Sequence, residues 1–210
     1  MASIFRFDWP VDRDGYEIEH RGPTGDSLLG RVEYDVIRRR GGPDRNYRPL
    51  EDHPGLWRRF AETCSTVDGV LKFVTQFGLL SDVGWETPDS ILNTAELIRQ
   101  IAANLDDGDS DTAADLFTKY AKPNFSAGIR PKGSGKARYE SELIPVTLRS
   151  ALLLQTLETI TGDRQWRRCR NEGCLEWFQL GPGAHTSRRE FCSDRCRVAS
   201  ARRNKEASHA

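Results

Sequence analysis

Four of the five cysteines lie within 28 residues near the C-terminus, at a spacing that suits a metal ion. They form two short pairs, Cys169 with Cys174 and Cys192 with Cys196, and 17 residues separate the pairs. Two such pairs allow four thiolates to converge tetrahedrally on Zn²⁺. Because four protein ligands leave no position for water, the spacing predicts one structural zinc ion rather than a catalytic one.

Other uses of the same cysteines remain open. Disulfides would need an oxidising compartment, and the N-terminus has no apolar stretch typical of a secretory signal. A redox switch is a second alternative, because zinc-bound thiolates can be oxidised. His185, between the two pairs, could replace one cysteine, but four cysteines already suffice. We therefore expect His185 to be a surface residue of the loop.

Basic residues crowd around the cysteines. Residues 161–210 hold 11 Arg and Lys against 6 Asp and Glu, so they carry a charge of +5 and residues 1–160 carry −5. Such an asymmetry is typical of a nucleic-acid-binding module, and a solvated charged surface is the alternative. A helix over 194–205, capped by Ser193, would place several arginines near one face. The candidate nucleic-acid contacts on this helix and the loop before it are Arg188, Arg189, Arg195, Arg202 and Arg203. The alternative is that these arginines compensate the −2 charge of Zn²⁺ with four thiolates.

The whole chain has the composition of a folded protein. It contains 210 residues, of which 37% are hydrophobic and 30% are charged, and a chain of this length can bury a core of ordinary size. Its apolar runs are far shorter than the roughly 20 residues that a bilayer span needs. In the absence of a secretory signal, the sequence predicts a cytoplasmic protein with no membrane partner.

Three segments differ in their hydrophobic periodicity. Residues 1–48 alternate apolar and polar side chains around 4–9 and 32–36, which predicts a small β element. Residues 49–164 show helical spacing, above all behind Thr87-Pro88 and over 146–160, with a further helix over 111–120 and one hairpin around Gly133 to Gly135. They therefore predict a mainly helical domain. Residues 165–210 form the four-cysteine segment, with a strand at 177–178 and the basic helix. The predicted fold class is α+β, mainly α.

Three weaker candidates carry no chemistry that we can assemble. Cys64 lies among apolar residues of a predicted helix, so we expect a buried thiol rather than a nucleophile. The acidic run 106–111 lacks the Gly and Glu of a calcium-binding loop and fits the start of the next helix. The Gly-Ser-Gly-Lys run at 133–136 lacks the remaining residues of a phosphate loop and fits a flexible turn. Since no nucleophile, base and orienting group can be assembled, we expect no enzyme.

The cysteine-rich segment resembles a known family. The run Arg-Cys-Arg-Asn-Glu-Gly-Cys-Leu-Glu-Trp-Phe at 168–178, followed by Ser-Arg-Arg-Glu-Phe-Cys-Ser at 187–193, Cys196 and a basic helix, is similar to the CGNR-type zinc finger. This bacterial family joins an N-terminal, largely helical domain to a C-terminal four-cysteine finger. The predicted turn, strand and helix around the four cysteines of this sequence resemble a treble-clef finger. The match covers about residues 165–205. The family's Cys-Gly-Asn-Arg tetrapeptide is Cys196-Arg197-Val198-Ala199 here, so the resemblance carries over the ligand but none of the Gly-Asn-Arg contacts.

The resemblance implies a function that agrees with the charge asymmetry. Members of the family are regarded as stress-related transcription regulators that bind DNA. We therefore expect a DNA-binding transcription regulator with a four-cysteine zinc finger. The alternative is a protein-interaction scaffold in which the zinc finger is purely structural.

Overall fold

A computed structural model describes residues 7–22, 33–131, 139–162, 165–174, 176–180 and 188–207. Within these ranges the chain forms seven helices and nine short strands, all paired antiparallel. The predicted α+β, mainly α class is confirmed. None of the described helices is both long and apolar enough to cross a bilayer.

The N-terminal β element consists of two small sheets. Strand β1 (Trp9–Asp12) pairs with β4 (Asp44–Tyr47), and β3 (Tyr34–Arg39) lies between β2 (Tyr16–Arg21) and β5 (Trp85–Glu86). Residues 4–6 of the strand predicted over 4–9 lie outside the described residues, and β1 begins only at the last position of that prediction. In place of the strand predicted over 32–36, β3 runs from residue 34 to residue 39, because it pairs with β2 over this whole length.

Six helices precede the cysteine-rich segment, which carries the seventh. Four of them begin with a Thr or Asp whose side chain accepts a hydrogen bond from the backbone N–H three residues later, as expected of an N-cap. The helices are α1 (Pro49–Asp52), α2 (Leu56–Thr63), α3 (Val67–Phe77), α4 (Pro88–Asp106), α5 (Ser110–Tyr120), α6 (Leu148–Thr161) and α7 (Asp194–Ala207). The predicted helices behind Thr87, over 111–120, over 146–160 and over 194–205 are confirmed within one or two residues at each end.

Two hairpins complete the fold. Strands β6 (Phe125–Pro131) and β7 (Tyr139–Pro145) form the predicted hairpin, whose turn at 133–136 lies outside the described residues. Strands β8 (Gln165–Arg168) and β9 (Trp177–Leu180) form a second hairpin within the cysteine-rich segment. The sequence predicts the strand at Trp177 but not its partner β8. We call residues 165–207 the finger segment.

One hydrophobic core joins the N-terminal strands to the helices. It extends from Phe7 to Leu154, so residues on both sides of the predicted boundary at 48 share it. Helix α6 runs through this core, and its Gln155 is buried. The Gln155 side chain accepts a hydrogen bond from the Trp57 N–H (3.1 Å) and donates one to the His53 carbonyl (2.9 Å), which fixes the start of α2 against α6. The division into 1–48, 49–164 and 165–210 stays a prediction.

Candidate metal centre

The four cysteines of the finger segment come together as a ligand set. The Sγ atoms of Cys169, Cys174, Cys192 and Cys196 all lie within 4.8 Å of one another and could hold a metal ion. The Sγ atoms of Cys174 and Cys192 are 3.7 Å apart, and those of Cys192 and Cys196 are 3.5 Å apart. Four thiolates arranged tetrahedrally at about 2.3 Å from Zn²⁺ would be about 3.8 Å apart. The cluster therefore has the dimensions of a tetrahedral thiolate site.

Local backbone geometry positions the first pair. Cys169 follows β8, and its N–H donates to the carbonyl of Glu176 at 3.0 Å, just before β9. Between the two ligands the chain turns through Asn171 to Gly173, and the Cys174 N–H donates to the Asn171 carbonyl at 2.7 Å. The β8–β9 hairpin thus brings both thiols to one end of the strand pair.

The second pair lies at the beginning of α7. Ser193 caps this helix as predicted, because its hydroxyl accepts a hydrogen bond from the Cys196 N–H at 3.3 Å. Cys192 precedes the cap and Cys196 lies in the first turn, so a single helix start supplies both thiols. The loop before the cap is tied to the first pair by the Arg170 N–H, which donates to the Glu190 carbonyl at 3.0 Å.

The thiols differ in how readily they lose their protons. Hydrogen bonds with Asn171 and Ser193 lower the pKa of Cys196 to about 6. Burial raises the pKa of Cys192 and Cys174. Cys196 therefore loses its proton more readily than Cys174 and Cys192, and metal binding must displace protons from those two. A small apolar cluster that includes Cys169, Phe178 and Leu180 keeps this site partly out of water.

Arg189, one of the predicted nucleic-acid contacts, is occupied within the finger segment. Its guanidinium donates hydrogen bonds to the carbonyl of Phe191 (2.8 Å) and to that of Cys192. The same group lies 5.0 Å from the centre of the Phe178 ring, a cation–π distance. Arg189 therefore holds the loop that carries Cys192.

The arginines of α7 lie on two different faces of the helix. Arg203 follows Cys196 by seven residues and lies on the same side of the helix, where a Cβ on Gly173 would be 3.3 Å from its Nη1 atom. Arg195 and Arg202 are seven residues apart on another face, and both are exposed. Arg203 is exposed as well, but its guanidinium lies beside the finger turn at Gly173. Arg188, on the preceding loop, is exposed too.

The finger segment is joined to α2 by a set of charged contacts. Glu176 accepts a hydrogen bond from Arg59 at 2.8 Å and lies 3.4 Å from Nδ1 of His53. The His53 ring beside it lowers the pKa of Glu176, burial opposes this, and the Arg59 guanidinium adds to the lowering. The indole N–H of Trp177 donates to Glu62 at 3.1 Å.

A stacked arginine lies at the centre of the same junction. The Arg58 guanidinium is 4.7 Å from the centre of the Trp57 ring and 4.8 Å from that of Trp177. It also donates two hydrogen bonds to Asp106, at 2.7 and 2.8 Å. Sequence reasoning missed this junction, since its partners are far apart in the chain and no local pattern marks them.

The weaker sequence candidates behave as structural residues where they are described. Cys64 is fully buried, and burial raises its pKa to about 12, so it is no nucleophile at neutral pH. Asp109 caps α5 by accepting a hydrogen bond from the Thr112 N–H at 3.0 Å. His185 lies outside the described residues.

No family model, no curated protein and no solved structure matches this chain. The resemblance to the CGNR-type zinc finger therefore stays a prediction. A functional argument has to rest on the cysteine cluster and on the charges that surround it.

Proposed function

We propose that the finger segment is a four-cysteine zinc finger that binds double-stranded DNA, and that the protein is a transcription regulator without enzymatic activity. Zinc is the metal best suited to four cysteines, because thiolates are soft ligands and Zn²⁺ accepts tetrahedral geometry without penalty. A site closed by four thiolates has no open position for a substrate or a water molecule, so the metal has a structural role.

The observation that carries the DNA proposal is the set of exposed arginines that the finger does not use. Within the described ranges, Arg188, Arg195 and Arg202 are exposed and take part in no ion pair. Arg189 and Arg203, by contrast, contact the finger itself. Contacts within the finger segment therefore account for two of the five arginines and leave three for an external anion.

The placement of these three arginines suits a nucleic-acid backbone. Arg195 and Arg202 lie on one face of α7, about 10.5 Å apart along its axis. An α-helix fits the major groove of B-DNA, and arginines along such a helix and its preceding loop can contact phosphates. Among the described side chains of α7, the first-turn carboxylate of Asp194 contacts Arg197 rather than Arg195, so it leaves Arg195 available to a phosphate.

A titration of zinc-loaded protein against a fluorescent duplex, repeated at several salt concentrations, tests the proposal. The variant R188A/R195A/R202A should lose most of the affinity and reduce the slope of log K against log salt by about three, since each phosphate contact contributes about 0.9. The matched control R13A/K72A/K122A removes the same charge from exposed positions outside the finger segment and should leave the slope unchanged. Zinc content should be equal in all three proteins. DNA binding that is equally tight in both variants contradicts the proposal.

A second candidate function is favoured by the junction with α2. The contacts of Glu176 and Trp177 with that helix fix the finger segment against the helical region, as a purely structural zinc finger in a protein-interaction scaffold would require. Such a scaffold would not bind a DNA duplex even at low salt. Its affinity for a protein partner would change little with salt concentration, because an apolar protein interface releases few counterions. The same titration therefore separates the two functions.

A further inference from the structure

A cavity lies between the N-terminal strands and the loop before β5. Its volume is about 250 Å³. Its apolar wall includes the aromatic side chains of Phe7, Trp9 and Tyr16, and its polar lining includes Arg39, Ser81 and Asp82. Aromatic walls with a few convergent polar groups are typical of small-molecule sites.

Two polar atoms of the lining are buried without a hydrogen-bond partner among the described residues. They are the Ser81 hydroxyl oxygen and Nε of Arg39. The nearest carboxylate oxygen of Asp12 is 3.6 Å from Arg39 Nε, which is too long for a hydrogen bond. A buried donor without a partner costs free energy, so a ligand oxygen that accepted a hydrogen bond from either atom would remove that cost.

The charges at the cavity restrict the class of ligand. Arg39 already faces Asp12 and Asp44. Two carboxylates line the cavity: Asp8 is paired with Arg48 at 3.2 Å, whereas the exposed Asp82 forms no ion pair in the described part of the chain. A ligand that carried only a carboxylate would meet this acidic group, whereas a simple amine would leave Arg39 and Ser81 without partners. A zwitterion offers a carboxylate to Arg39 and Ser81 and a cationic group to Asp82.

We propose that this cavity binds a free α-amino acid with an apolar side chain. The α-carboxylate accepts hydrogen bonds from Arg39 Nε and the Ser81 hydroxyl, and the α-ammonium group donates to Asp82. The side chain packs against Phe7, Trp9 and Tyr16. This proposal is independent of DNA binding, because none of these residues lies in the finger segment.

Thermal unfolding of the full protein with added ligand tests the proposal first. Leucine, valine, methionine and phenylalanine are each compared with their amide and their N-acetyl derivative. A ligand that binds only the folded state raises Tm in proportion to the logarithm of its concentration. We expect at least one free amino acid to raise Tm by several degrees at about 10 mM, while its two blocked derivatives do not. The proposal is overturned if no free amino acid raises Tm, or if the blocked derivatives act equally well.

Calorimetric titrations of variants assign the site. Ser81→Ala and Asp82→Asn should each weaken binding by about fivefold or more. The exposed positions 65 and 107 provide matched controls, Ser65→Ala and Asp107→Asn, which should bind as the parent does. Because its hydroxyl has no partner among the described residues, Ser81→Ala should leave the unliganded protein at least as stable as the parent. Equal binding by Ser81→Ala, Asp82→Asn and the parent would place the amino acid elsewhere and overturn the assignment.

Discussion

Gly55 and Trp177 are in direct contact across the junction between α2 and the finger segment. A Cβ added to Gly55 would lie 2.6 Å from the Cβ of Trp177 and 2.6 Å from its carbonyl oxygen. Part of this close contact is backbone, which cannot move aside as a flexible side chain would. The absence of a side chain at position 55 is therefore a condition for the docking of β9.

Gly55→Ala should weaken this docking. Its methyl group would overlap both Trp177 atoms, and we expect a loss of about 1–3 kcal/mol in the free energy of unfolding. Urea denaturation measures this loss. The control Gly22→Ala, where nothing lies within 4 Å of the added Cβ, should change stability by less than about 0.5 kcal/mol. Equal stabilities of the two variants would show that β9 does not depend on this approach.

Removal of one ligand should release the metal without unfolding the helices. In Cys192→Ser we expect the zinc content to fall from one per chain to near zero, because three thiolates bind Zn²⁺ far more weakly than four. Elemental analysis measures the metal, and circular dichroism checks that α1 to α6 remain folded. Cys64→Ser, at a cysteine outside the cluster, should retain its zinc. Protein purified without a chelator that contains no metal would contradict the zinc proposal.

Arg189→Ala should lower metal affinity without removing a ligand. The guanidinium holds the carbonyl groups of Phe191 and Cys192, so its loss frees the loop that positions one thiolate. Loss of a group that orients a metal ligand typically costs about 10–100-fold in affinity. Competition with a chromogenic chelator measures this. Arg195→Ala, on the exposed face of α7, should leave metal affinity unchanged, and a similar loss in both variants would mean that charge alone matters.

Acid should remove the contribution of the Asp12 carboxylate to the stability of the folded protein. Burial alone would raise the pKa of this carboxyl, but hydrogen bonds from the backbone N–H groups of Gly41, Asp14 and Gly42 outweigh it and hold the pKa below its ordinary value. Since the folded-state pKa is the lower one, the stabilisation is complete above about pH 5 and is lost as pH falls through the folded-state value.

Asp12→Asn should therefore lower the free energy of unfolding by about 2 kcal/mol at neutral pH, and by progressively less in acid. Denaturation at pH 7, 5 and 3 measures the difference between the variant and the parent. Asp107→Asn, at an exposed position, is the control and should show no comparable trend. A difference that stays constant down to pH 3 would contradict the conclusion that the ionised Asp12 carboxylate stabilises the folded protein.

Local patterns in the sequence account for the helices and for the ligand set. Caps such as Thr87 and Ser193 and the apolar spacing behind them act within a few residues, so they can be recognised without a structure. The cysteine spacing is local in the same sense. Strand β8 could not be predicted because four residues rich in arginine carry little hydrophobic alternation, and its pairing with β9 depends on the turn between the ligands.

Contacts between distant segments could not be predicted in this way. Arg59 and Glu176 are 117 positions apart, and no feature of either neighbourhood identifies the other. The orientation of α7 decides which arginines point away from the finger. Helical spacing alone puts Arg203 with Arg195, but the turn at Gly173 contacts it instead. Roles that depend on such tertiary contacts become visible only in the folded chain.

The stacked junction also gives the protein an optical property. Three of its five tryptophans, Trp57, Trp166 and Trp177, lie where the finger segment meets the helical region. The rings of Trp57 and Trp166 meet edge to face at 6.3 Å, and the Arg58 guanidinium separates Trp57 from Trp177. Indole emission depends on nearby charge and on water, so undocking of the finger segment would alter three emitters at once. Intrinsic fluorescence is thus a label-free reporter of that one junction.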